Sequence, residues 1–328
     1  MNRERLERRQ VWVYLVAISG GLALGLASPA LGAVLEPLLW PVLGVLLFST
    51  FTLIPLDRLP AAFGNRRFLV ALFIGNFLAV PALVWLLIRL LPDDPAIRLG
   101  VAAVLLLPCT DWFTTFTHLG RGNAVLAIAV SPLLLLVQLV ALPLYLVLFF
   151  DGMILARGID PVQIAIAFGV IVLVPLVLAY ALERRAQASL WWRDRAAGIG
   201  WLPVPLLAVV VFIISASQVQ VVSKWLPQLG LVVFVFIAYL VIAGVLGRLV
   251  SGTVRLDTGA ARTLVFSLGT RNSFVVLPLA LALPAGWEAV AVVIVVQTLV
   301  ELLGMLLYLI WVPRRLLPDA DECPGVRA

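Results

Sequence analysis

Leu107-Pro108-Cys109-Thr110-Asp111 interrupts one long apolar run, and Ser267-Leu268-Gly269-Thr270-Arg271-Asn272 interrupts another. A carboxylate or guanidinium within hydrocarbon costs several kcal/mol, so one that persists there usually has a function. Pro and Gly free backbone groups that lipid cannot satisfy, and such backbone must be enclosed by protein or line a wet cavity. The two interruptions occupy matching places in the two halves of the chain. Paired breaks of this kind point to the binding site of a transporter.

The rest of the sequence supports a membrane setting. Hydrophobic residues make up 63% of the chain and charged residues 12%, with mean hydropathy +1.13. A soluble domain carries about 25% charged residues. Apolar runs of membrane-crossing length recur near 11–28, 33–55, 68–91, 97–119, 124–149, 161–181, 198–217, 229–249, 261–284 and 288–312. Each has about the 20 residues that a helix needs to cross a bilayer. The expected architecture is an all-α polytopic membrane protein with ten transmembrane helices.

Charge placement orients these spans. With ten crossings both termini share a side. Of the 23 Lys and Arg, only Arg89, Arg98, Arg157 and Lys224 fall on the other side, and Arg271 falls within a span. This asymmetry places the N- and C-termini in the cytoplasm. It also argues against nucleic acid as the partner of the +6 net charge, because the cations sit in short loops. Each half has an odd number of spans, five, so the halves are expected to form two inverted five-helix repeats, with helices four and nine broken and crossing. The expected organisation is a cytoplasmic N-terminus over 1–10, a first repeat over 11–149, and helix six within 150–182. A cytoplasmic basic loop over 183–197, the remaining helices over 198–312 and a cytoplasmic tail over 313–328 complete it. The N-terminus reads as a retained end, since no small-residue cleavage site follows its first apolar run.

Several residues are candidates for chemistry. Cys109 follows Pro108, which removes one helical hydrogen bond and kinks the span. Cys109 is either a small buried residue at the kink or a thiolate ligand for a soft, thiophilic solute. No second Cys lies within any span, and His118 is the sole histidine. This composition does not support a multi-thiolate cage or a zinc site. Asp111 and Arg271 are either a structural ion pair between the two breaks or part of a coupling device. Thr110, Thr114, Thr115, Asn272 and Ser273 supply neutral hydrogen-bonding groups nearby. Glu301 lies in the last span, where desolvation and a nearby cation act in opposite senses on a carboxyl group and would poise it for proton exchange. Asn76 and Gln297 are expected as interhelical hydrogen-bond partners, Glu36 and His118 as interfacial residues. Gly20-Gly21 with Gly25, and Gly244 with Gly247, read as sites of close helix packing. There is no phosphate-binding loop, dinucleotide fingerprint or nucleophile elbow, and no signalling domain, which disfavours an enzyme or a sensor.

Leu107-Pro108-Cys109-Thr110, followed by Leu119-Gly120-Arg121-Gly122-Asn123, resembles the bile acid/sodium symporter superfamily. Gly269-Thr270-Arg271-Asn272-Ser273-Phe274 resembles that superfamily's ninth helix. Pro108-Cys109-Thr110 and Val300-Glu301 look most like its arsenite efflux carriers. The resemblance implies a panel domain of helices one, two, six and seven, and a core domain of the others. It further implies that Cys109 and Glu301 are needed for function, and that the solute is arsenite, with antimonite a second candidate, exchanged for protons. Cys109, Thr110, Asn272 and Ser273 would bind the solute, with Cys109 as the arsenic(III) ligand. Glu301, Asp111 and Arg271 would couple or gate. The carrier would need no cofactor, draw on the proton motive force, and sit in the cell membrane.

The chain departs from the sodium-coupled members of the superfamily it resembles in ways with physical meaning. Those members carry a carboxylate where Ser267 stands, a Gln where Arg271 stands, and a Ser-Asn pair near Phe113-Thr114. Losing an anionic ligand and gaining a fixed cation both oppose sodium binding. The arsenite carriers usually have Glu where Val275 stands, and no acid where Asp111 stands. An organic-anion or bile-acid-like carrier of the same fold, sodium-coupled or not, is the alternative, with Arg271 binding a carboxylate.

Overall fold

The computed structural model describes residues 3–54, 60, 63–110, 112–156 and 161–319. Among them there is no β-strand, and helices account for nearly all the regular structure. In chain order the helices are α1 (Arg3–Ala27), α2 (Pro29–Phe51), α3 (Arg66–Leu90), α4 (Pro95–Leu106), α5 (Trp112–Leu119), α6 (Ala124–Ala156) and α7 (Pro161–Ala188). They continue with α8 (Leu190–Ile199), α9 (Pro203–Ser217), α10 (Val219–Val254), α11 (Thr258–Gly269), α12 (Ser273–Leu281) and α13 (Ala289–Trp311). Six helical stretches are long and apolar enough to cross a membrane.

Local sequence sets the helix ends. Asn65, Asp94, Asn123 and Asp257 each accept a hydrogen bond from a backbone N–H in the following first turn. Such caps satisfy donors that the helix itself cannot. In the middle of α3 the backbone loosens into a π-turn over Gly75–Ala79, one residue before Val80-Pro81. Asn76 sits inside that turn and is fully buried.

Packing sorts the helices into two groups. α1 lies along α9, which also meets α2, and α2 meets α7. α10 lies against α11 and α13, and α13 against α4. Hydrocarbon gives helices no hydrophobic reason to associate, so close approach through small residues matters more. A Cβ on Gly21 would lie 2.3 Å from the carbonyl oxygen of Phe212, and one on Gly25 equally close to that of Ala216. The expected close packing at Gly21 and Gly25 is therefore the contact between α1 and α9. Gly244 and Gly247 play the same part, against Trp311 and Val265.

Burial is distributed as a lipid-embedded bundle requires. Outer positions such as Val125, Val140, Leu307 and Trp12 are apolar and exposed. In α11 every residue from Ala260 to Gly269 is buried, and in α12 every residue from Ser273 to Ala280. A helix buried on all sides lies at the centre of its bundle.

One expectation needs correction. The segment 183–197, expected as a loop, is almost wholly helical: α7 runs through Ala188, and α8 begins after Ser189. Its Arg, Ala, Gln and Glu residues are good helix formers. Its guanidiniums also lie over rings, Arg195 on Trp191 at 3.9 Å and Arg185 on Trp192 at 5.3 Å. The residues after α13 are anchored to α11. Arg262 donates from Nε and Nη2 to the Leu317 carbonyl, and pairs with Asp319 at 2.9 Å.

Candidate functional site

The two breaks meet. α4 ends at Leu106, and Leu107 turns to extended backbone, as Thr270 does after α11. Pro108 and Arg271 face each other as an isolated antiparallel bridge. The Cys109 N–H donates to the Thr270 carbonyl at 3.2 Å, and the Asn272 N–H donates to the Leu107 carbonyl at 2.9 Å. Each interruption thus satisfies backbone groups that the other has freed. Within a bilayer, irregular backbone is tolerated only when it is enclosed and paired in this manner. Trp112 at the start of α5 packs edge-on against Phe274 at the start of α12, with centroids 5.4 Å apart.

Cys109 is 1% exposed, so its thiol lies in the protein interior at the crossing and not against lipid. It forms no disulfide. Thr110 is buried beside it, and its carbonyl accepts from the Ser131 hydroxyl of α6 at 3.2 Å. Asp111 lies outside the described residues, and so does its expected ion pair with Arg271.

Arg271 is 1% exposed and is the largest of the fully buried side chains. Its Nη2 donates to Asn76 Oδ1 at 2.8 Å and to the Ser267 carbonyl, and its Nη1 donates to the Leu105 carbonyl at 3.3 Å. The guanidinium carbon stands 5.7 Å from the centre of the Tyr239 ring. Oxygens from α3, α4 and α11, with a ring from α10, therefore surround the cation. Among the described residues no carboxylate is in ion-pair contact with the guanidinium. Asn76 also donates from Nδ2 to the Ser267 hydroxyl at 3.0 Å, so one amide bridges α3 to α11 and to the Arg271 side chain.

Glu301 meets Arg271 at the backbone. The Arg271 N–H donates to Glu301 Oε2 at 2.9 Å, and Gln297 Nε2 donates to the same oxygen. Gln297 Oε1 in turn accepts from the Ser273 hydroxyl at 2.6 Å. Glu301 Oε1 has no partner, although the residue is 1% exposed. A buried polar atom left unpaired calls for a role. Asn272 caps α12 by accepting from the Val275 N–H, and its Nδ2 donates to Gln138 Oε1 at 3.2 Å.

Five of the expected residues, Cys109, Thr110, Asn272, Ser273 and Glu301, thus lie on or directly against the paired breaks, together with Arg271. Asn76 and Gln297 are the interhelical partners expected of them. Glu36 and His118 are elsewhere: Glu36 meets Gln218 at 3.4 Å, and His118 is exposed at the end of α5. Three contributors escaped the sequence reading: Tyr239, Ser131 and Gln138. For Gln138 a signal was present, a lone amide within Leu133-Leu134-Leu135-Leu136-Val137-Gln138-Leu139-Val140.

At the far ends of α5 and α11 a second polar knot forms. Arg262, 3% exposed, donates to the Arg121 carbonyl at 3.3 Å, and the Asn123 N–H donates to Thr263 Oγ1 at 2.8 Å. The loop after α5, the start of α11 and the residues after α13 are thereby tied together.

An apolar helical bundle with two discontinuous helices joined at their breaks has the architecture of a solute carrier. A model of the Sodium Bile acid symporter family matches residues 40–251, or 212 of the 328 residues. The chain belongs to the Sodium Bile acid symporter family. This is a family of transporters, and the chain is a multi-pass membrane protein of that kind, with a small solute as its cargo. The family match includes the first break and stops short of the second, so the roles of Arg271 and Glu301 rest on geometry. No curated protein matches the chain. Among the described residues no three His, Cys, Asp or Glu side chains are grouped to hold a metal.

Proposed function

We propose that this symporter-family member exports trivalent arsenic, as arsenite and also antimonite, in exchange for protons. The observation that carries the proposal is the position of Cys109, a buried thiol on the strand-like segment where two broken helices pair. Arsenous acid is neutral near pH 7, so it must be held by thiol affinity and by hydrogen bonds to its hydroxyls, not by charge. Cys109 supplies the sulfur as the thiolate, which displaces one hydroxide from arsenic; that hydroxide leaves as water with the thiol's proton, and the reverse step releases the solute. Thr110, Asn272 and Ser273 supply hydrogen-bonding groups on the same paired segments. A single sulfur ligand keeps release possible, as a carrier requires.

Glu301 carries the proton in this reading. It is held by the Arg271 N–H and by Gln297 through one oxygen, which leaves Oε1 to exchange a proton. Arg271 supports sodium independence: a covalently attached cation already fills a cage of oxygens from three helices. A metal ion entering there would have to displace a guanidinium. Ten crossings in two inverted repeats, with both termini cytoplasmic in the cell membrane, complete the proposal. Access alternates as the core group of helices rocks against the panel. The test is growth on arsenite, antimonite and arsenate in a host deprived of its own exporter. Resistance to the two trivalent forms supports the reading, and unchanged sensitivity overturns it.

A second reading is favoured by one observation. The Arg271 guanidinium has no carboxylate in ion-pair contact among the described residues, as a site for an organic anion would. Uptake of a carboxylate-bearing solute, lost in Arg271→Gln, would establish it.

A further inference from the structure

Around the second break the side-chain hydrogen-bond accounts close except at three atoms, Arg271 Nε, Glu301 Oε1 and Nε2 of Gln138 in α6. Gln138 has no accessible surface, yet its Nε2 has no partner. The amide cannot be turned to remove the deficit. Asn272 Oδ1 is committed to the Val275 N–H at the start of α12, so Asn272 presents Nδ2 to α6. Facing a donor, Gln138 must present Oε1, which accepts at 3.2 Å, and its Nε2 is then directed away from that contact. A buried amide donor left over beside a binding segment implies an absent acceptor.

Helix α6 is well placed to serve both breaks. Ser131 and Gln138 are seven residues apart, two helical turns, and so lie on one face about 10 Å apart along the axis. Ser131 bonds the Thr110 carbonyl of the first break, and Gln138 bonds Asn272 of the second. The crossing is thus met by a third helix whose other described polar side chains, Ser131 and Tyr145, are engaged.

We propose that Gln138 is a specificity-determining residue of the carrier, and that its Nε2 donates a hydrogen bond to an oxygen of the transported solute. It deepens the arsenite reading and rests on it, the oxygen being a hydroxyl of arsenous acid. Cys109 would bind the arsenic atom in place of one hydroxide, which leaves as water with the thiol's proton, and Gln138 would donate to one of the two hydroxyls that remain.

The test must separate a solute contact from simple support of Asn272. Gln138→Met is made in the intact carrier and also in an Asn272→Ser background, in which serine still caps α12 but no longer donates to residue 138. Arsenite uptake into everted vesicles is measured for each. A solute contact raises the apparent KM about tenfold in both backgrounds, with the maximal rate changed less than twofold. If the effect disappears in the Asn272→Ser background, Gln138 only holds Asn272 and the proposal is overturned. Should Gln138→Met fail to accumulate, Gln138→Ser is read in the same way. If the unaltered carrier moves neither arsenite nor antimonite, the arsenite reading itself falls, and this assignment with it.

Discussion

Asn76 and Arg271 are 195 positions apart in the chain and are joined by a 2.8 Å hydrogen bond within a fully buried polar cluster. Asn76 gives its oxygen to the guanidinium and its nitrogen to Ser267, so it pins α3 to the second break from both ends of one amide. Arg271 has no cheaper alternative, since its other acceptors are backbone carbonyls already fixed by helix geometry.

Asn76→Leu should destabilise the protein by about 2 kcal/mol, because a buried charged donor then loses an acceptor. Thermal unfolding of purified protein in detergent would register the loss. A midpoint equal to that of the unaltered protein would show that Asn76 is dispensable to the cation's stability.

Cys109→Ser should leave the backbone pairing intact, since residue 109 contributes its N–H and not its side chain to the bridge. Expression and thermal midpoint are expected to stay within error. Arsenite efflux should fall to background, because a hydroxyl cannot replace a thiolate as an arsenic ligand. Retained efflux would remove the thiol from the mechanism.

Glu301→Gln keeps an oxygen for the Arg271 N–H but can no longer bind and release a proton. Solute exchange down its own gradient should persist, while acceleration by an imposed pH gradient should vanish. Everted vesicles with and without a collapsed gradient distinguish the two. Acceleration that survives the substitution would assign the proton elsewhere.

Replacing sodium by choline should leave transport unchanged within twofold, since the Arg271 guanidinium occupies the oxygens a cation would need. A steep loss of transport in choline would mean that a metal ion binds at some other place.

Arg262→Ala should cost about 2 kcal/mol, because Arg262 is buried and ties the Leu317 and Arg121 carbonyls together. Asp319→Asn should cost under about 1 kcal/mol, since Asp319 is half-exposed and its pairing is screened by water. Paired unfolding curves test whether the difference has this order.

Much of this was legible in the sequence because hydrocarbon punishes exceptions. Pro108, Gly269 and Arg271 stand out against long apolar runs, and their placement in matching spans indicated where two helices would be discontinuous. Cys109 at a break and Glu301 in the last span were visible for the same reason. What the sequence withheld was partner choice. The described contacts of Arg271 are an amide and carbonyl oxygens, which carry no signature because every residue has a carbonyl. Gln138 was overlooked because an uncharged amide in a leucine-rich run costs little enough to pass as packing. The helical structure over 183–197 was missed because basic, aromatic stretches between spans usually read as loops, whereas here α7 continues to Ala188 and α8 follows Ser189, with guanidiniums over the rings of Trp191 and Trp192.

The paired amides of Cys109 and Asn272 act as a rivet through the centre of the molecule. Neither broken helix can slide or straighten without shearing the other, so the four half-helices must travel as one body. In the proposed alternating-access cycle, the seam that parts to admit water would run outside that body, along its border with the group built on α1, α2 and α9. Engineering that aims to freeze the carrier in one posture should therefore staple that border and leave the rivet alone.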